Sequence, residues 1–252
     1  MISVCMALYN GEKYVVRQIF SILPQLTAVD ELILVDDCSS DRTVEIVEGL
    51  KDPRIRIYRN RKNMGVNLTF SEAIHLSKGD IIFLSDQDDI WHPNKIAVCM
   101  AEFARNPNLL LVQHRCRVVN DEDGKLTPVG LTSGAGRAGI LKNFVSNTYQ
   151  GSAFAFRKEL KPCILPINPI PYHDRWIGIL ADWCGEVKFI PDELMDYVRH
   201  KGTCTTMKRG TLRTILSDRW RFGMAILSRF MAIRKARRSL QMKIQGMEEG
   251  LK

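Results

Sequence analysis

No two of the seven cysteines lie within four residues of each other, so the chain lacks the closely spaced ligand pair that a structural zinc site needs. Their odd number and scatter (Cys5, Cys38, Cys99, Cys116, Cys163, Cys184, Cys204) argue against a disulfide framework and for reduced thiols. No leader-like segment opens the chain at Met1, which points to a cytoplasmic protein and leaves Asn67-Leu68-Thr69 a formal sequon only. No run approaches the roughly 18 to 20 uninterrupted apolar residues of a spanning helix. Internal repeats and low-complexity tracts are absent. No Gly-x-Gly-x-x-Gly follows an expected strand, and there is no Gly-x-x-x-x-Gly-Lys-Ser/Thr, His-Glu-x-x-His or Gly-x-Ser-x-Gly. These absences weigh against a dinucleotide fold, a P-loop, a zinc protease and a nucleophile elbow.

What is present is a chain of 252 residues, 45% hydrophobic, with net charge +8. That composition supports one large domain with a real core, or a domain with an appendage. The charge is uneven. From Lys208 to Lys243 eleven lysines and arginines face one acid, Asp218, a net of +10 that leaves the rest of the chain at −2.

The first half alternates between two periods. Strands are expected at Ile2–Leu8, Leu32–Val35, the edge-like Ile55–Tyr58, Asp80–Leu84 and Leu109–Val112. Helices are expected from about Glu12 to Leu26, after a cap at Ser40 or Asp41, from Asn67 to Ser77 with Gly79 as the stop, and from Pro93 to about Arg105. This alternation predicts a parallel sheet with right-handed crossovers, whose ligands bind beyond the carboxyl ends of the strands. Three segments then share one crevice: Tyr9-Asn10-Gly11, Asp36-Asp37-Cys38-Ser39, and Ser85-Asp86-Gln87-Asp88-Asp89. Further on, the glycine-rich stretch 121–139 reads as a loop. Tyr149–Phe156 reads as a strand, Pro171–Cys184 contains a helical run, and Val187–Ile190 and Leu194–Val198 read as short strands. A long helix begins near Thr211.

Asp86, Asp88 and Asp89 are the sharpest feature. Three carboxylates within four residues repel one another, and a hard cation bound together with substrate phosphates would relieve that cost. The competing reading is a solvated turn. Asp37 is either an acceptor for a base or ribose, or part of a capping loop. Asp174, in His173-Asp174-Arg175-Trp176, is either a helix cap or a base at an acceptor site. His200, at a strand end, is either structural or a ligand.

Taken together these segments resemble the inverting family-two glycosyltransferases of the GT-A fold. The match runs through Ile2 to Glu12, Leu34 to Thr43, Asn60 to Gly65 and Gly79 to Asp89, and continues more thinly at Gly151-Ser152, His173 to Trp176 and Tyr197 to Gly202. The resemblance implies a Rossmann-like, mostly parallel sheet flanked by helices over residues 1–206, with a basic helical appendage over 207–252. It implies that Ala7, Tyr9, Asp37 and Asn63 line the donor nucleoside site, that Asp86 touches ribose or metal, and that Asp88 with His200 holds Mn²⁺ or Mg²⁺. Asp174 would be the general base, and Gly151, Ser152 and Trp176 would meet the acceptor. Arg175 departs from the aromatic or apolar residue expected after that base. Ser85 to Trp91 with the later His-Asp-x-Trp is similar to bacterial rhamnosyltransferases. The resemblance thus implies transfer of a sugar from a dTDP- or UDP-linked donor to a saccharide or polyprenyl-linked acceptor in cell-surface polysaccharide synthesis. The rival readings are a non-catalytic protein of the same fold and a sugar-phosphate nucleotidyltransferase.

In the tail, Leu212, Ile215, Leu216, Trp220, Leu227 and Phe230 recur at helical spacing among arginines. Such a helix suits a membrane interface, where each basic residue contributes about 1 kcal/mol near an anionic leaflet. The expectation is peripheral attachment at the inner face of the cell membrane, with no nucleic-acid partner. The alternative is a helix packed on the body with a solvated basic face.

Overall fold

A computed structural model describes residues 1–122, 125–133, 139–167, 172–200 and 212–249. The strands are β1 (Ile2–Leu8), β2 (Glu31–Asp36), β3 (Ile55–Arg59), β4 (Ile81–Ser85), β5 (Ile90–Trp91), β6 (Leu109–Glu122), β7 (Lys125–Ser133), β8 (Phe154–Arg157) and β9 (Glu186–Arg199). The helices are α1 (Val15–Ile22), α2 (Thr43–Gly49), α3 (Val66–Leu76), α4 (Lys95–Arg105), α5 (Ile140–Val145), α6 (Lys161–Ile164), α7 (His173–Cys184) and α8 (Leu212–Glu249).

One sheet runs β3-β2-β1-β4-β8-β6-β9-β5, with β7 paired to β6. The first four strands are parallel, as their alternation with helices demands. Strand β8 is antiparallel to both neighbours, and β6 and β9 are again parallel. The sheet is therefore mixed.

The apolar runs of β1, β2 and β4 are continuous because both faces are covered. Val4, Met6 and Leu8 point to the face packed by α1, α2 and α4, with Ile19, Val47 and Phe103. Cys5, Ile33 and Leu84 point to the other face, packed by α3, α7 and α8, with Phe70, Ile177 and Phe222. The cysteines among the described residues are free thiols.

Several expectations change. Helix α3 ends at Leu76, and the Ser77 hydroxyl donates to the Ile74 carbonyl. Gly79 is no helix stop: a Cβ there would lie 2.4 Å from the Ser3 backbone nitrogen, so glycine is needed for close approach to β1. Residues 125–133 form β7 on the long β6 rather than a loop. Gly134-Ala135-Gly136-Arg137-Ala138-Gly139 therefore does follow a strand. That strand is an antiparallel partner outside any parallel βαβ unit, and residues 134–138 lie outside the described ones. The two short late strands are one, β9, and Gly151–Ala153 forms a 3₁₀ turn before β8. The expected domain boundary at 206/207 also falls outside the described residues.

Helix α8 buries Phe222, Ile233 and Leu240 against the body, while Leu216, Trp220 and Leu227 are exposed. No described helix is long and apolar enough to cross a membrane.

Candidate active site

The parallel register sets Leu8 opposite Asp36, and Met6 opposite Ser85. The carboxyl ends of β1, β2 and β4 therefore lie side by side, and the loops after them open on one edge.

The Asp86–Asp89 loop folds back towards β9. Asp89 is buried and accepts from the Val198 backbone N–H at 3.1 Å, while its second oxygen has no hydrogen-bond partner. Burial, followed by the charges of Asp86 and Asp88, raises its carboxyl well above the usual range. Asp86 is pushed up to about 7 by burial first, then by Asp88, with Asp174 adding to the rise. The Ser152 hydroxyl lies near enough to offset part of this, though outside hydrogen-bond geometry. Asp88 meets His200 directly, with Oδ2 2.9 Å from Nε2, and the imidazole stacks on Tyr14 at 4.1 Å.

Behind these acids lies a buried cation that the sequence reading missed. The Lys95 ammonium donates to the Ser152 carbonyl at 2.8 Å and sits 3.8 Å from the Trp91 ring centroid. Burial draws its pKa down to about 8, against the opposing pull of Asp89 and Asp86. Trp91-x-Pro93-x-Lys95 stands in the sequence, but the inward direction of the lysine side chain does not.

Gln87 was also missed. Its amide accepts from the Tyr9 N–H at 3.0 Å and donates to the Tyr9 carbonyl at 2.9 Å, clamping the β1 loop to the β4 loop. Gly11 leaves the room for it: a Cβ there would lie 2.2 Å from Gln87 Oε1. Tyr9 itself is half exposed beside this clamp, and Ala7 is partly buried within β1.

Asp37 accepts from Asn60 Nδ2 (2.8 Å), Met64 N (2.7 Å) and Gly65 N (2.8 Å), and Asn63 Nδ2 donates to its carbonyl at 3.3 Å. The carboxylate thus shapes loop 60–65 and the start of α3, where Gly65 takes a φ of 85°. Asp37→Ala is expected to cost about 1 kcal/mol, because it strands three partly buried donors. Hydrogen exchange should show amides 64 and 65 losing protection; unchanged exchange would contradict this role.

Asp174 lies in the first turn of α7 and accepts from Arg175 N at 2.6 Å and Asn147 Nδ2 at 3.2 Å. A Cβ placed on Gly151 would lie 3.6 Å from Asp174 Cβ, and the next residue, Ser152, holds the Lys95 ammonium through its carbonyl, so the start of α7 lies beside the turn that packs behind the acids. Gly151 lies under His173, whose Nε2 would be 2.6 Å from a Cβ placed there. Trp176 lies away from this site: it is fully buried, donates Nε1–H to the Ile164 carbonyl at 2.8 Å and packs edge-on to Phe222. An acceptor cannot reach it, so its expected acceptor contact is corrected to a core role.

The strand that ends just before His200 is pinned by Asp196, which accepts from Arg117 Nε and Nη2 at 2.7 Å and lies 2.9 Å from His92 Nε2. Despite burial, these partners hold its pKa down, to about 2. A lowered carboxylate pKa adds stability above the unfolded value of 3.8, and that stability is lost as pH falls towards 2. Between pH 4 and 2 the wild type should lose about 2 kcal/mol more than Asp196→Asn. Parallel acid denaturation curves for the two would refute this. His92 is raised, chiefly by Asp196, so its contribution is present below 6.5 and fades as pH rises through its folded value.

Among the described residues no three His, Cys, Asp or Glu side chains are gathered as a ready metal cage. The donor set nonetheless fits a cation that is shared with substrate. Asp88 and His200 touch, and hard divalent ions bind through one or two protein ligands plus phosphate oxygens.

Residues 3–163 match the family model described as Glycosyl transferase family 2. The chain belongs to this family. The family 2 match includes the acid edge and stops before Asp174 and His200. Over 210 residues the chain is 25% identical to an uncharacterized glycosyltransferase of Nostoc sp., covering 79% of this chain and 65% of that protein. It is 35% identical over 123 residues to a putative colanic acid biosynthesis glycosyl transferase of Escherichia coli, covering 48% and 42%. Among solved structures, S. aureus TarS in complex with UDP-GlcNAc superposes with a TM-score of 0.67 at 17% identity, covering 86% of this chain and 63% of that one. At that identity the likeness concerns the fold, and with the family 2 match it confirms the GT-A arrangement. The chain spans less than two thirds of these relatives' length.

Proposed function

We propose that this chain transfers one sugar, with inversion, from a nucleotide-diphosphate donor to an acceptor hydroxyl. The observation that carries this reading is the meeting of Asp88 with His200 at 2.9 Å, next to Asp86, at the edge where the parallel strands end. Loop 60–65, ordered by Asp37 through Asn60 and the backbone of Met64 and Gly65, forms one wall of the nucleoside site together with Ala7, Tyr9 and Asn63. Asp86 meets the ribose or the cation. Asp88 and His200 hold Mn²⁺ or Mg²⁺, which when bound neutralises charge on the leaving nucleoside diphosphate. Asp174, fixed by Asn147 and the Arg175 N–H, takes the proton from the acceptor hydroxyl as it attacks the anomeric carbon on the face opposite the departing diphosphate. Displacement with oxocarbenium-like character from that side inverts the centre.

The donor we favour is dTDP-linked, with rhamnose as the sugar, or UDP-linked; the acceptor is a saccharide or polyprenyl-linked glycan. The named roles of relatives in colanic acid biosynthesis and as chondroitin synthase support a place in polysaccharide synthesis. The basic α8 supports attachment to the inner face of the membrane.

The test is nucleoside-diphosphate release from a panel of dTDP-, UDP- and GDP-sugars with Mn²⁺ and an oligosaccharide or lipid-linked acceptor. Release with at least one donor, abolished by Asp88→Ala, supports the reading. Pyrophosphate as the product would instead indicate nucleotidyl transfer, and donor binding without turnover would indicate a non-catalytic protein.

A further inference from the structure

Helix α8 has two opposed apolar faces. At 3.6 residues per turn, Phe222, Ile226, Ile233 and Leu240 share the side packed on the body. Leu216, Trp220, Met224, Leu227 and Met231 fall on the opposite side and are exposed, Trp220 to 72% and Leu227 to 68%. The same outward side carries exposed Arg213, Arg234, Lys235 and Arg238. A single packed helix needs only one apolar face, so the second asks for a partner.

A second, separate helix also exposes apolar residues. On α5, Leu141 is 83% exposed and Val145 61%, and their spacing of four puts them on one ridge. Lys142 beside them is also exposed. The two helices are joined: Arg219 donates to the Val145 carbonyl, and Phe144 packs edge-on against Phe222. Helix α5 is in turn fastened to α7 by Gly139 N donating to Asp182 at 2.7 Å, and Asn147, which holds Asp174, follows α5 by two residues.

We infer that α5 and the outward face of α8 form one footprint that seats on an anionic lipid bilayer, with the Asp174 side of the site next to the membrane. A mixed apolar and basic face, with a tryptophan among aliphatic residues, matches a headgroup boundary. A second copy of this chain is the poorer occupant, since two such basic faces repel one another. The placement rests on the proposed base and narrows the acceptor class: a hydroxyl delivered beside Asp174 would come from a lipid-linked acceptor held in the membrane.

The experiment is co-sedimentation of the full chain with vesicles of phosphatidylcholine alone and of phosphatidylcholine with phosphatidylglycerol, with no donor present, so that it stands or falls apart from the transferase reading. Wild type should bind the anionic vesicles. Leu141→Glu/Val145→Glu and Trp220→Glu/Leu227→Glu should each weaken binding about tenfold or more, since removing buried apolar area and adding like charge both oppose insertion. All these residues are exposed, so circular dichroism and thermal unfolding should match wild type. Retention of full binding by the α5 variant would overturn the two-helix footprint. A wild-type dimer that these substitutions split into monomers would overturn the bilayer as occupant.

Discussion

Asp174→Asn is expected to lower acceptor-dependent turnover by about a thousandfold while leaving nucleotide binding within twofold of wild type. The substitution keeps the shape of the side chain and removes its ability to take a proton. It also turns an amide towards Arg175 N and Asn147 Nδ2, two groups that now donate to the carboxylate at 2.6 and 3.2 Å. The loss should fall on kcat rather than on the donor KM, because the base acts on the acceptor hydroxyl in the transition state. Single-turnover nucleoside-diphosphate release measures it. Turnover within tenfold of wild type would remove Asp174 from the reaction.

The largest effect on stability is expected at Lys95. Lys95→Met retains the volume of a buried stem and deletes a charge that draws the carboxyls of Asp86 and Asp89 back towards the ionised form. It also leaves the Ser152 carbonyl without its ammonium donor. Stranding the buried Ser152 carbonyl and losing the attraction to the two acids costs about 3 kcal/mol. For a chain of this size that is a fall of roughly 10 °C in Tm. The double variant Lys95→Met/Asp89→Asn should recover part of the loss, as the two groups are coupled. Strict additivity in calorimetric unfolding would show that Lys95 acts through packing alone.

The two halves of the chain differ in how openly their structure is written. β1, β2 and β4 are legible because strands buried on both faces become unbroken apolar runs, and the intervening helices show the longer period. Asp36-Asp37 and Asp86 to Asp89 stand out because acids directly after such runs have to sit at the sheet's carboxyl edge. Beyond residue 110 the signals weaken. The long β6 and β9 are marked by register shifts where they pair, so their apolar pattern is broken into pieces that resemble shorter strands. Strand β7 hides behind Pro128 and flanking glycines, which its position against β6 alone tolerates.

Side-chain direction is the other gap. Trp176 lies two residues from Asp174 and reads as a neighbour in function, yet α7 turns it inward to Ile164 and Phe222. Asp37 reads either as an acceptor for base or ribose or as part of a capping loop, and spacing does not show that its oxygens turn to Asn60, Met64 and Gly65. Gln87 closes a two-point amide clamp on Tyr9 across 78 residues of sequence, a pairing that leaves no pattern in the chain. The second apolar face of α8 is hidden for a related reason: helical spacing shows that Leu216, Trp220 and Leu227 share a side, but only the position of Phe222 and Ile233 against the body shows that this side is the outer one.

The claim on which the rest depends is that the acids at the strand ends capture a nucleotide diphosphate together with a divalent cation. Isothermal titration of UDP and dTDP, with Mn²⁺ and with EDTA, into wild type and Asp88→Ala tests it most directly. The account predicts binding of at least one nucleotide that requires Mn²⁺ and weakens by about tenfold or more, at least 1.4 kcal/mol, in the variant. Equal affinity in EDTA, or an Asp88→Ala variant that binds as tightly as wild type, would contradict it.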